Sequence, residues 1–390
     1  MSIYIIVSEP YEKNQIKRHG LDFILEKHTI KIINLFLLNG ETYSEQEINH
    51  YKMMSEKDQF FCNSTDEVCS ILANIKATDI VIYHIASMHY KLFNYIIRHF
   101  NKEKIRYGFM AIMSIPDLNI SFQKKCIFYL ENQSYIFQKT LRRIYIFFKK
   151  PYFRPHFIIA AGDAVLRKNK ATYGLSPKYY SVESIDYRNT KNIDLNFTKQ
   201  LKHKKYILYI EQGVPFHPDL KLSKKEFGCD PIDYYKKINV FLTKIETQTK
   251  LEVIISLPPK TELFMPELTN FFLDRQIFIN RTAELTKECE FVLAQYSTAI
   301  SCALIYKKPV ILFSLSKDDY SFPFAKNLAK ILGNEIVMVN EVGDDFKYDS
   351  QLYIYHEKRN RFVENWIKSD GAIPLQENTY FLDLLNSISK

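Results

Sequence analysis

The sequence predicts an α/β fold made of two parallel-sheet domains, and three observations carry that prediction. Short apolar runs alternate with segments of helical period along most of the chain, the pattern of parallel sheets covered by helices on both faces. The 390 residues exceed the roughly 100–200 that one domain usually takes. The apolar runs also fall into two series, of five and of six.

The first series predicts strands at 2–7, 30–37, 79–84, 106–112 and 157–161, each a β-branched or aromatic run, with helical patterns at 66–75 and 88–100 between them. The stretch 186–204 is polar and rich in Asn and Lys, without a sustained apolar period, and reads as a linker. It sets the expected boundary between an N-terminal domain, 1–200, and a C-terminal domain, 201–365. The second series predicts strands at 205–211, 251–257, 276–279, 290–294, 309–313 and 335–339. Helical patterns at 233–247, 261–273, 298–306 and 324–332 separate these strands. A long helix at 355–368, the turn Ser369-Asp370-Gly371 and a last helix at 380–389 follow. The extension 366–390 is expected to pack back on the first domain.

Composition excludes several classes. Glycine is scarce, 10 of 390, and neither G-x-G-x-x-G nor G-x-x-x-x-G-K-[ST] occurs, so the two commonest nucleotide fingerprints are missing. Six cysteines without a C-x-x-C fit reduced, buried thiols, not disulfides or a zinc site; no metal is expected. The start of the chain lacks a basic n-region, and no run of 18 apolar residues occurs. The expectation is therefore a cytoplasmic protein with no membrane span.

The net charge is +9, and it is concentrated. Between residues 121 and 160 stand eight Lys or Arg against Glu131 alone, interleaved with eleven aromatics. Within it Phe137, Leu141, Ile144, Tyr145 and Phe148 form an apolar stripe, flanked by Lys139, Arg142, Arg143 and Lys149, up to Pro151. Two readings stay open: a helix with a solvated face, or a helix over 134–157 lying on an anionic membrane surface as a peripheral anchor. With charge elsewhere near balance, no nucleic-acid partner is expected.

In open α/β sheets ligands sit outside the carboxyl ends of strands. That rule selects Ser8-Glu9, His84, Met113-Ser114 and Gly162-Asp163 from the first half. From the second it selects Glu211-Gln212-Gly213, Pro258-Pro259-Lys260, Asn280-Arg281-Thr282, Tyr296-Ser297-Thr298 and Ser314. The hydroxyls of Ser297 and Thr298 at a helix start suit either an N-cap or a phosphate. Glu284 suits either a first-turn acid or a contact to a ribose. His217 and Asp219, in Val214-Pro215-Phe216-His217-Pro218-Asp219, offer either a base with a hydrogen-bonding partner or a rigid turn.

The order of these pieces resembles the donor-binding half of glycosyltransferases of the B-type, two-Rossmann fold, particularly bacterial surface-polysaccharide and capsule enzymes. The resemblance runs over about 205–315, through Val253–Lys260, Arg281-Thr282-Ala283-Glu284-Leu285, Ser297-Thr298-Ala299 and Lys307-Lys308-Pro309. It departs at Pro258, where those families place the His of a His-Pro pair. It implies two Rossmann-like domains facing a central cleft. The activity implied is transfer of a sugar from a CMP-, UDP- or GDP-linked donor to a lipopolysaccharide- or capsule-type glycan or its lipid-linked precursor. Neither a metal nor a cofactor beyond the donor is implied. Pro259, Lys260, Thr282, Glu284, Tyr296, Ser297 and Thr298 would hold the donor, and Glu211, then His217 and Asp163, would be the candidate base. The alternatives are a sugar-nucleotide epimerase or hydrolase of the same fold, or an inactive scaffold in a polysaccharide assembly complex.

Overall fold

Runs of Ile, Val and Tyr that are apolar on both faces cannot sit at a sheet surface, and here they become the inner strands of two parallel sheets. The computed structural model describes residues 2–8, 28–39, 59–84, 90–112, 153–201, 204–216, 230–258, 266–317, 321–343 and 346–374, with a few shorter pieces between them. By their contacts they form unit 1, Met1–Ile112, Asn119–Val182 and Gly371–Lys390, and unit 2, Met113–Leu118 and Glu183–Asp370.

Unit 1 begins with strands β1 (Ser2–Val7), β2 (Thr29–Asn34) and β3 (Gln59–Phe61). Helix α1 (Thr65–Leu72), strand β4 (Ile80–His84), helix α2 (Tyr90–Lys102) and strand β5 (Arg106–Ala111) follow. Strand β6 (Phe157–Ala161), helix α3 (Asp163–Tyr173) and strand β7 (Lys178–Val182) complete it. The sheet order is β3-β2-β1-β4-β5-β6-β7. Tyr4, Ile6, Ile33 and Val81 pack one face against Val68 and Leu72 of α1 and Ile96, Ile97 and Phe100 of α2. At Gly108 the strands come so close that a Cβ would collide with the Phe157 carbonyl and ring.

Unit 2 starts with helices α4 (Ile185–Lys191) and α5 (Leu195–Leu201) and strand β8 (Tyr206–Ile210). Helix α6 (Pro231–Thr249), strands β9 (Glu252–Leu257) and β10 (Ile277–Ile279), helix α7 (Thr282–Glu288) and strand β11 (Val292–Ala294) come next. Helix α8 (Ile300–Ile305), strand β12 (Val310–Ser314), helix α9 (Phe322–Leu332), strand β13 (Ile336–Met338) and helix α10 (His356–Phe362) close it. The order is β10-β9-β8-β11-β12-β13. Period-2 alternation divides β8 cleanly. Ile207 and Tyr209 join α6 through Ile238, Phe241 and Ile245, while Tyr206, Leu208 and Ile210 join Leu285, Ala303 and Leu304 on the other face.

The differences from expectation have physical causes. Strands β3 and β7 were not expected: the first is a three-residue, half-exposed edge, and the second alternates buried and half-buried positions in a Lys-Tyr-Tyr-Ser-Val run. The stretch read as a linker forms α4 and α5, and contacts divide the chain between Val182 and Glu183, not at 200. Three of the positions buried there are Arg188, Thr190 and Thr198, so no apolar period betrays the helices. The pattern at 261–273 becomes a 3₁₀ segment, Pro266–Phe272, since Pro266 lacks the N–H that a longer helix needs. The long C-terminal helix turns from α10 into a π turn, Val363–Ile367. Past it the chain re-enters unit 1, where Ile373 pairs with Val182. The helices expected at 137–148 and 380–389 lie outside the described residues.

Candidate functional site at the carboxyl edge of the second sheet

In unit 2 the chain runs outward from β8 through β9 to β10, then returns to place β11 on the other side of β8. The loops after β8 and β11 therefore leave in opposite directions, and it is in the crevice between such loops that sheets of this kind usually hold a ligand. Two of the candidate motifs, Glu211-Gln212-Gly213 and Gln295–Thr298, stand at this reversal.

Glu211 is sealed into the protein, 2% exposed. Its Oε1 accepts from Gly213 N–H at 2.5 Å and from the Tyr235 hydroxyl at 3.3 Å, and its Oε2 from the Tyr209 hydroxyl. Gly213 has φ 64°, the left-handed turn that bends the chain back over the carboxylate. Burial raises the Glu211 carboxyl above its ordinary value, against the pull of these hydrogen bonds. Tyr209 and Tyr235 are held well above theirs, first by burial and then by the neighbouring carboxylate. A carboxylate with both oxygens engaged and no solvent face is badly placed to take a proton from an entering hydroxyl. In this arrangement both carboxylate oxygens hold the turn through Gly213 and the two tyrosines.

Across the crevice, Ser297 and Thr298 form a turn ahead of α8. The expected hydroxyl cap is absent: the helix begins at Ile300, is six residues long, and has Ala299 at its N-cap without a side-chain bond. The Ser297 hydroxyl accepts from Ala299 N–H at 3.2 Å, while Ile300 and Ser301 N–H go to the Ser297 and Thr298 carbonyls at 3.2 and 3.0 Å. The Ser297 and Thr298 N–H groups and the Thr298 hydroxyl make no hydrogen bond among the described residues. Both residues are half-buried. Beside them the Tyr296 ring lies 4.7 Å from that of Phe324, and a small apolar pocket is lined by Tyr296, Ser297, Ile300 and Phe324.

The remaining candidates divide. Thr282 opens α7 with its hydroxyl 2.7 Å from that of Ser256 at the end of β9. Glu284, 9% exposed, accepts at Oε1 from Arg281 Nη1 at 3.3 Å and Asp194 N–H at 3.4 Å. The carbonyl of Pro258, where the related motif has His, accepts the Thr261 hydroxyl at 2.7 Å. Asp163 is the first residue of α3, after Gly162 at φ 82°, and its carboxylate makes no hydrogen bond or ion pair among the described residues. Pro259, Lys260 and His217 lie outside those residues. Asp319 was not among the candidates. Its carboxylate takes hydrogen bonds from Ser314 Oγ, Leu315 N–H, Gln295 Nε2 and Ser321 N–H at 3.1–3.3 Å. The only sequence signal for it is an acid five residues past a strand ending in Ser. Among the described residues no cluster of His, Cys, Asp and Glu could hold a metal ion, and no helix is long and apolar enough to cross a membrane.

Both sheets share one order, three strands out to one side and the rest to the other, which defines a protein of two Rossmann-like units, the fold of B-type glycosyltransferases and related sugar-nucleotide enzymes. Solved structures bear this out. The chain is similar to the wall teichoic acid polymerase TagF in a histidine-to-alanine variant, at 10% identity and TM-score 0.53, over 100% of this chain and 89% of the other. A histidine-to-asparagine variant of TagF soaked with CDPG gives 12% identity and TM-score 0.51 over the same shares. The UDP-GlcNAc 2-epimerase of Methanocaldococcus jannaschii, in complex with UDP-GlcNAc and UDP, gives 15% and 0.45, over 93% of this chain and 98% of the other. No family model and no curated protein matches the chain.

Proposed function

We propose that the protein is a glycosyltransferase that moves a sugar from a nucleotide-linked donor to a glycan or glycolipid acceptor, with the donor in unit 2 and the acceptor in unit 1. The observation that carries this reading is a trio of donors without a partner among the described residues, Ser297 N–H, Thr298 N–H and Thr298 hydroxyl, half-buried beside the strand reversal of unit 2. Such donors suit the oxygens of a phosphate, and the charge that builds on the departing nucleotide would fall on them. Of the solved structures it resembles in fold, TagF has been soaked with CDPG. Thr282 and the Glu284 carboxylate stand near enough in sequence to serve the nucleoside.

In the reaction the acceptor oxygen forms a bond to the anomeric carbon, the bond from that carbon to the phosphate oxygen breaks, and the nucleotide leaves with the electron pair. The acceptor proton passes to a base. With Glu211 engaged, that task falls to Asp163, whose carboxylate has no partner among the described residues, or to His217, four residues past Gly213. The basic aromatic segment 134–157 would bring the enzyme to anionic lipid headgroups, where a lipid-linked acceptor is found.

Thermal unfolding with CMP, CDP, UDP, GDP and ADP tests the reading. A nucleotide at a hundred times its dissociation constant stabilises by about 2.7 kcal/mol, and the nucleotide that does so names the donor class. Product analysis with the matching nucleotide sugar then separates transfer from hydrolysis or epimerisation. Absence of stabilisation by all five overturns the proposal.

A further inference from the structure

Two consecutive tyrosines open α6, and each reaches a different strand end. Asp230 caps this helix and Pro231 starts it, so Tyr234 and Tyr235 lie in its opening turns, about 100° apart around the axis. Both are 1% exposed, and their rings meet edge to face at 5.1 Å. The Tyr235 hydroxyl donates to Glu211 Oε1, past β8, at 3.3 Å. The Tyr234 hydroxyl donates to Gln295 Oε1, past β11, at 2.6 Å. These are the two strands between which the chain reverses. A single stretch of helix thus holds both walls of the crevice.

The chain of bonds goes on from Gln295, itself 2% exposed. Its Nε2 donates to Asp319 at 3.3 Å, and Asp319 gathers Ser314, Leu315 and Ser321. Gln295 is held at both ends of its amide, and the next three residues are Tyr296, Ser297 and Thr298. An apolar pair would fill the space between α6 and β11 without the cost of burying an amide and a hydroxyl. The polar pair gives direction in return: an amide bonded at both ends has one orientation, and so has the backbone that carries it.

We propose that Tyr234 and Gln295 are positioning residues for the nucleotide phosphate, fixing the 296–298 turn against the turn held by Glu211. The inference rests on reading this crevice as the nucleotide site. It adds that affinity there depends on a hydroxyl that cannot itself touch the ligand.

Tyr234→Phe removes one oxygen and keeps the ring, so it tests the point with little risk to folding. The probes are UDP, CMP and CDP, titrated by calorimetry into the full chain, with urea unfolding of the ligand-free protein alongside. The expected result is affinity for the bound nucleotide weakened about three- to tenfold, the worth of one buried hydrogen bond. Arg275→Ala serves as the comparison. It breaks a cluster of Glu246, Asn239 and Thr243 in the same unit that has no hydrogen bond to Tyr234, Gln295 or Asp319 among the described residues, and should lower stability more while leaving affinity unchanged. In a double-mutant cycle, Tyr234→Phe with Gln295→Leu should weaken binding no more than Gln295→Leu alone. Wild-type binding with unchanged affinity in Tyr234→Phe overturns the positioning role and leaves the donor site standing. Equal affinity losses in Tyr234→Phe and Arg275→Ala overturn it as well, since general loosening would then explain both. A wild type that binds none of these probes, and neither GDP nor ADP, overturns the positioning role together with the reading beneath it.

Discussion

Replacing Glu211 separates a catalytic carboxylate from one that builds a turn. Glu211→Gln keeps the shape and one acceptor oxygen, and loses one acceptor among the three donors of Tyr209, Gly213 and Tyr235. A net hydrogen bond is worth about 0.5–1.5 kcal/mol, so the variant should fold with a loss of that order near the ordinary carboxyl range. The loss should shrink as pH rises. Burial holds the Glu211 carboxyl above its ordinary value, so the folded state binds the proton more tightly than the unfolded one. The wild type is therefore favoured below the unfolded value, about 4.3 for Glu, and gives up that stability as pH climbs through the folded value. Glutamine has no proton to lose. Urea unfolding at pH 4, 6 and 8 should show Glu211→Gln gaining on the wild type across the series. Glu211→Ala should do far worse at every pH. It strands two hydroxyls and an N–H in a site that water does not reach, at about 1–3 kcal/mol each. Turnover completes the comparison. With Glu211 as a positioning group, the Gln variant keeps turnover within about tenfold, whereas loss of a general base costs about 10²–10⁴. A folded Glu211→Gln protein with wild-type nucleotide affinity and a hundredfold fall in turnover would refute this account.

Other outcomes are equally open to measurement. Ser297→Ala with Thr298→Ala should cut nucleotide affinity by about 1–2 kcal/mol in calorimetry, with a smaller loss of stability because, among the described residues, the Ser297 hydroxyl bonds only Ala299 N–H. Arg275, 8% exposed at its side chain, forks onto Glu246 and also bonds Asn239 and Thr243; Arg275→Ala should cost about 3 kcal/mol in denaturant unfolding. Gly108→Ala drives a methyl into the Phe157 carbonyl and should cost about 1–3 kcal/mol, read as a lower melting temperature. Changing Lys139, Arg142, Arg143 and Lys149 to Gln should abolish sedimentation with anionic vesicles at low salt while sparing nucleotide binding.

Much of the fold was legible because doubly covered strands must be continuously apolar. Runs such as Tyr206–Ile210 and Phe157–Ala161 can be little else. The elements that escaped notice bury polar atoms or hardly bury at all. Helix α4 turns Arg188 and Thr190 inward, and β3 is an edge with no fully buried position. The site was legible to the level of the loop and no further. Strand ends correctly selected Glu211, Ser314 and Tyr296–Thr298 as residues of the carboxyl edge. What each residue does depends on partners remote in sequence. Tyr235 is 24 residues from Glu211, and Tyr234 is 61 from Gln295. No spacing rule links a helix tyrosine to a carboxylate at a strand end, and only the packing of α6 on the sheet discloses that the acid is occupied.

Apart from 113–118, unit 2 is one uninterrupted stretch of chain inserted into unit 1. The two crossings are laced together: Ser184 N–H bonds the Ile367 carbonyl at 2.8 Å, and Ile373 N–H bonds the Ser181 carbonyl at 2.9 Å. Between them the Glu183 carboxylate, with no exposed surface, holds Lys191 and Lys368 at 2.8 and 3.1 Å. This arrangement orders events on the ribosome. The strands of unit 1 emerge first, yet Ile373, which extends their sheet beside Val182, is made only after all of unit 2. The earlier-synthesised half must therefore wait, its β7 edge uncovered, while the inserted half folds. Released chains that end just short of residue 373 would contain all of unit 2 beside a unit 1 that lacks the Ile373 pairing with Val182.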